Sequence, residues 1–172
     1  MGEMRLLMDK TVSYQGLFRM DELYKTIMKS MQERGYFIIE KRNQEDVFEE
    51  GKQIVLQIEP VKTLNDYAKS RMKIKLTANN LKDKVVKIDG HPQKLQQGKV
   101  DMQFFAVLET DYRNKWQDSG FKLVFRTISD KFIRHDIIHK AEDGTKADCV
   151  AITEEVKAYL NMHRYQLDQQ GK

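Results

Sequence analysis

The sequence predicts an α+β fold: an N-terminal strand and helix, an antiparallel meander of four to five strands, then two C-terminal helices packed on one sheet face. Three observations predict it. Between Gln53 and Glu109, apolar and polar residues alternate in successive short runs, the period of strands with one buried and one wetter side. On both flanks of that stretch, apolar residues recur every three or four positions, as on an amphipathic helix. The runs are joined by short turns, which favours antiparallel pairing of sequence neighbours.

Thr11 to Phe18 reads as the first strand, with Val12, Tyr14 and Phe18 on one face and Gly16 at a point of close approach. Asp21 stands where an N-cap is expected, because its carboxylate can accept from the free amides of a first helical turn. Leu23, Ile27 and Met31 follow at intervals of four, and Gly35 is placed to end the helix in a left-handed conformation. Tyr36 to Lys41 starts a strand that can run on to Phe48. Glu49 to Lys52 turns it into Gln53 to Glu59, so the two form a hairpin. Pro60, lacking an N–H, is expected to close that strand.

Val61 to Ser70 is a connection, followed by strands at Arg71 to Ala78 and Lys84 to Ile88 that Asn79-Asn80 separates. Asp89-Gly90 is a turn pair, His91 to Gly98 a polar loop, and Lys99 to Thr110 the long final strand. The period then changes. Trp116, Phe121, Val124, Phe125, Ile128 and Phe132 suit a helix from about Arg113 to Ile133, with Ser119-Gly120 near its start. Arg134 to Lys140 reads as a short strand or extended link, and Asp143-Gly144 as a turn. Thr153 is expected to cap a last helix whose inward stripe is Val156, Tyr159, Leu160, His163 and Leu167. This order of elements resembles a helix-grip arrangement, in which a curved sheet wraps around a C-terminal helix.

Short segments along the chain resemble those of small archaeal proteins of unknown function. They are Tyr14 to Phe18 with Asp21 to Lys25, Asp66 to Lys69, Leu108 to Tyr112, and Ala158 to Asn161 with Arg164-Tyr165. The resemblance brings no activity, ligand or site residue with it.

A length of 172 residues fits one domain, and 40% hydrophobic against 33% charged residues supplies a core beneath a heavily charged exterior. The single cysteine, Cys149, excludes an intramolecular disulfide framework, so a reducing, cytoplasmic setting is expected. The longest apolar runs, Tyr36 to Ile39 and Phe104 to Leu108, fall far short of the ~20 residues that span a bilayer. Met1 to Lys10 carries Glu3 and Asp9 and does not read as a secretory signal. Net charge is +4 but unevenly placed. Lys62 to Lys99 holds ten cations against three aspartates, about +7, whereas Glu40 to Glu59 holds six acids against three bases, about −3.

Candidate chemistry is sparse. No glycine pattern suited to cradling phosphate occurs. His135 and His139 would share a helix face, but an extended Ile137-Ile138 segment makes packing or surface histidines the expectation, with no metal and no cofactor. Cys149 reads as a buried, inert thiol, and Glu109 with Asp111 as a solvated strand end. No catalytic residues are assigned, and a non-enzymatic protein is expected. The basic row is the better candidate. Arg71, Lys73 and Lys75 line the polar face of one strand, with Lys69, Lys82, Lys84 and Lys87 close in sequence. Cations at that alternate spacing, ~6–7 Å along a strand, lie near the phosphate interval of a nucleic-acid strand. Tyr67 is placed to stack on a base. The expected partner is therefore a polyanion, RNA or a ribonucleoprotein. An ordinary lysine-rich outer face that discourages edge pairing would carry the same residues.

Two alternatives remain. A gap between sheet and helix, lined by Met72, Met102, Phe104 and Phe125, would hold a small apolar ligand. A protein-interaction scaffold would expose an apolar patch, with Phe105 and Val107 on the other face of their strand. The helix bearing Trp116 and Phe125 also carries Lys122, Arg126, Lys131 and Arg134, a pattern that can lie on an anionic membrane, but a core-facing helix on an antiparallel sheet needs the same stripe and is the expected reading.

Overall fold

Among the described residues, five strands form one antiparallel sheet, with residues 3–18, 91–110, 68–88, 51–63 and 37–48 side by side in that order and two helices against one face. The computed structural model describes residues 3–110 and 122–168, with side chains described for 3–110 and 135–164. In chain order the elements are β1 (Glu3–Phe18), α1 (Met20–Glu33), β2 (Phe37–Phe48), β3 (Gly51–Thr63), β4 (Ala68–Ile88), β5 (His91–Thr110) and α2 (Lys122–Asp168). Helix α1 carries the chain from one edge strand to the other, so that β2 to β5 run back as a meander and β5 closes against β1.

The alternation that predicts the strands also fixes which face is buried. Met72, Ile74 and Leu76 of β4 and Met102, Phe104 and Ala106 of β5 are at most 1% exposed. They share one core with Leu23, Ile27 and Met31 of α1 and with Cys149, Ile152 and Val156 of α2. Gly35, at φ +79°, ends α1: its amide and that of Tyr36 donate to the carbonyls of Gln32 and Met31. Asp21 is not the N-cap. Arg19 holds that position, with no side-chain cap, and its guanidinium pairs with Asp21 and Glu22 in the first turn.

Several boundaries differ from the sequence reading. Pro60 does not end β3. It lies opposite Ile38, and its missing donor falls in a gap of the β3–β4 ladder between Ile58↔Ile74 and Val61↔Arg71. His91 to Gly98 is strand, not loop. Residues 91–97 pair with Lys82 to Ile88 in a hairpin whose turn is Asp89-Gly90, at φ +51° and +78°, and 96–98 also pair with the end of β1. The alternation fades there because both faces of the projecting hairpin carry polar residues.

The C-terminal pair of helices is a single helix. Arg134 to Lys140, Asp143-Gly144 and Thr153 all lie inside α2. A Cβ at Gly144 would meet open space, so the glycine weakens the helix without turning it. Ala141, Thr145, Cys149, Ile152 and Val156 hold the helix in place by burial at intervals of three and four. Thr153 is no cap: its hydroxyl donates to the Cys149 carbonyl one turn back, at 2.7 Å. Asp111, Trp116 and Phe121 lie outside the described residues, as do the side chains of Phe125, Phe132 and Leu167.

Candidate functional site

The predicted basic row lies on the sheet face away from the helices, and one irregularity decides its extent. Lys69, Arg71, Lys73 and Lys75 occupy alternate positions of β4 and point outward, opposite the buried series that begins at Met72. Continued unchanged, that alternation would turn Lys82 and Lys84 inward. A bulge intervenes: Asn79 pairs with Lys99, but Lys82 pairs with Gln97, so three steps on β4 match two on β5. The extra residue reverses the parity and returns Lys82 and Lys84 to the outward face. Lys87 is thereby sent to the opposite one, and it leaves the candidate set.

Two glycines make room for this bulge. A Cβ at Gly98 would meet the Asn79 carbonyl oxygen and Leu81 Cδ2 at 2.7 Å. One at Gly51, on the other neighbouring strand, would meet Asn80 backbone at 2.9 Å. Asn80 itself adopts φ +55°, a conformation asparagine tolerates better than most residues. The result is an open hollow of about 390 Å³ lined by Gln15, Asn80, Lys82, Lys84, Gln97, Gly98 and Lys99. The lining combines three ammonium groups with three side-chain amides, all potential donors to an anion. Gln15, Gln97 and Lys99 were not legible as site residues, because two of them fall in or beside a segment that reads as loop.

Not every predicted cation is available. Arg71 donates to Glu109 at 2.5 Å. Lys73 lies 3.7 Å from Glu59, which also faces Lys41 at 3.9 Å. Lys94 pairs with Asp83 and Lys99 with Asp101, each at 3.1 Å. Lys62 is drawn away to Asp148 of α2, where Tyr36 also donates, at 3.0 Å. That tyrosine hydroxyl meets buried Ser70 at 2.6 Å, and burial pushes its pKa far above the ordinary value. Among the described residues, Lys75, Lys82 and Lys84 have no carboxylate partner within ion-pair distance. The Lys75 ammonium sits 5.9 Å from the centre of the Phe105 ring on β5, so cation and aromatic face adjoin on the outward surface.

Tyr67 is not on the sheet face but in the β3–β4 turn, where the Asn65 side chain accepts from the amides of Tyr67 and Ala68, both at 2.8 Å. The alternative pocket residues Met72, Met102 and Phe104 are core, at most 1% exposed. Cys149 is fully buried, and burial pushes its thiol pKa up, away from a nucleophile. The far end of the outward face is apolar: Met4, Leu6 and Phe37 are 62%, 59% and 75% exposed, and Val107 stands in register with Leu6. Among the described residues no helix is long and apolar enough to cross a membrane. No protein-family model matches this chain, and no curated protein does.

Proposed function

We propose that this protein is a non-enzymatic binder of single-stranded RNA, free or within a ribonucleoprotein, and that the outward sheet face is its contact surface. The observation that carries the reading is the β4 bulge, which brings Lys82 and Lys84, the two hollow-lining cations without a carboxylate partner among the described residues, round to one hollow beside Lys99, whose ammonium is shared with Asp101. A phosphate entering it meets ammonium and amide donors from three strands. Phe105 lies six residues along β5 from Lys99, about 20 Å at a strand's rise per residue, and offers a ring on which a base can stack. Contacts of this kind read backbone and stacking with little sequence preference.

The test is fluorescence anisotropy on a labelled single-stranded oligouridylate at several salt concentrations. Affinity is expected to fall steeply with salt, and Lys82→Glu with Lys84→Glu to weaken it at least tenfold while the thermal midpoint stays put. Binding that ignores salt, or that survives the charge reversal, would refute the proposal.

A second reading, a protein-interaction scaffold, is favoured by the exposed Leu6 and Phe37 at the other end of the same face. Its readout is association with a second copy of the chain. A purely monomeric state at high concentration counts against it.

A further inference from the structure

We infer that His135 and His139 form a two-imidazole chelate for a late first-row divalent cation, with copper(II) the tightest of the series and zinc(II) or nickel(II) weaker. Because α2 runs unbroken through this segment, the two residues stand one turn apart on one helix face. Their rings are 4.1 Å apart at the centroids, and the two Nε2 atoms face each other at 3.1 Å. Facing nitrogens at that distance cannot both carry protons, so at least one presents a bare lone pair.

The separation also suits a shared metal. For metal–nitrogen bonds of 2.0–2.1 Å, two donors 3.1 Å apart subtend about 98° at the ion. That lies between the right angle of a square-planar or octahedral site and the tetrahedral angle. An N–H···N hydrogen bond would also account for 3.1 Å, and the experiment below separates the two.

A supporting group is already in place. Glu142, one turn beyond His139, has a side chain only 7% exposed, and Arg5 of β1 anchors it at 2.9 Å. Its second carboxylate oxygen lies 3.7 Å from His139 Nδ1. A fixed negative charge on that side of the ring favours the proton on Nδ1 and leaves Nε2 free to coordinate, as carboxylates behind metal-bound histidines commonly do. His139 itself is 53% exposed, so the ion would be reached from solvent. Among the described residues no third His, Cys, Asp or Glu completes a ligand set. The remaining positions therefore fall to water or to an exchangeable ligand. Imidazole donors with open positions suit copper, nickel and zinc, and the ordinary affinity order places copper first.

The test uses the full chain. Zinc(II) is titrated calorimetrically in a non-coordinating buffer, and copper(II) is added separately for electron paramagnetic resonance. One equivalent of zinc is expected, and the copper spectrum should show coupling to two nitrogens. His135→Ala and His139→Ala should each weaken zinc binding at least tenfold and reduce the coupling to one nitrogen. His91→Ala, at the far hairpin, should change neither. Both histidines are exposed and alanine favours helix, so circular dichroism should show each variant folded. Absence of a titratable equivalent, or wild-type affinity in either His135→Ala or His139→Ala, overturns the chelate and leaves a histidine–histidine hydrogen bond.

Discussion

The two faces of this sheet are made by the same strands and the same alternation, yet they are finished differently. At the centre of the inward face, burial is complete: Phe104, Met102, Ile74 and Leu76 are 0% exposed, and the polar groups Ser70 and Tyr36 are hydrogen-bonded to each other, Tyr36 also to Asp148. On the outward face, the charges near the apolar end are matched by Glu109 and Glu59, while Lys75, Lys82 and Lys84 have no carboxylate partner among the described residues. A lysine's presence in a strand therefore says little about its role. What separates a structural cation from an available one is whether a carboxylate stands near it on the neighbouring strand, opposite or diagonal, and that is set by register rather than by composition.

The sharpest way to break this comparison is to truncate two adjacent phenylalanines on β5. Phe104 is fully buried and its removal leaves a cavity in a close-packed layer, so Phe104→Ala is expected to cost about 3–5 kcal/mol in denaturant unfolding. Phe105 points the other way, beside Lys75. There, Phe105→Ala should change stability by less than about 1 kcal/mol, while weakening single-stranded RNA binding by about 1 kcal/mol or more. Equal stability losses at the two positions would mean that the faces are not distinct.

A smaller effect tests the paired against the unpaired cations. Glu109 has a side chain 12% exposed and Arg71 one 28% exposed, so Arg71→Ala strands a largely buried carboxylate. The expected loss is about 2 kcal/mol, below that of a fully buried pair because water still reaches the guanidinium. Lys75→Ala, with no carboxylate to orphan, should stay within about 0.5 kcal/mol. Denaturant midpoints of the two variants decide it. A stability loss for Lys75→Ala matching that of Arg71→Ala would erase the distinction.

These contrasts also show which parts of the molecule were legible in the sequence. The strand β3, the Arg71–Ala78 part of β4 and α1 announced themselves, because one buried face imposes a period of two and a helix stripe a period near four; the continuity of β4 through Asn79-Asn80, which reads as a break between two strands, did not. Hairpin residues 91–98 did not, since the ribbon that 91–95 form with β4 alone buries neither face continuously and leaves no period to read. The unity of α2 was hidden for a different reason. Asp143-Gly144 and Thr153 are turn and cap residues by local chemistry, and only packing of Ala141, Thr145 and Cys149 against the sheet overrides that preference. For the site, the row from Lys69 to Lys75 was readable from alternation alone. The fate of Lys82, Lys84 and Lys87 was not, because it turns on one extra residue whose signal is spread over Gly51, Asn80 and Gly98 on three strands.

The smallest expected effect comes from the inward side and depends on pH. His163, 7% exposed, meets the Tyr159 hydroxyl through Nε2 at 3.0 Å, and that hydroxyl donates its own proton to the Arg19 carbonyl at 2.9 Å. Nε2 must therefore be the donor, which leaves buried Nδ1 as an acceptor with no partner among the described residues. Burial holds the His163 pKa below the ordinary 6.5, with Arg19 acting in the same direction and Glu22 against it. A histidine whose folded pKa is depressed binds its proton more readily in the unfolded chain. It has no effect on stability above pH 6.5 and lowers stability as pH falls from 6.5 toward the folded value. The slope cannot exceed one proton, about 1.4 kcal/mol per pH unit. Carboxylates with depressed pKa values, such as Glu155 and Asp101, act only at lower pH, below their ordinary range near 4, so the two contributions separate. Denaturant midpoints between pH 7.5 and 5 should drift downward in the wild type and stay level in His163→Gln, whose amide can still donate to Tyr159. A drift that persists unchanged in His163→Gln would place the proton elsewhere and remove this histidine from the account of the inward face.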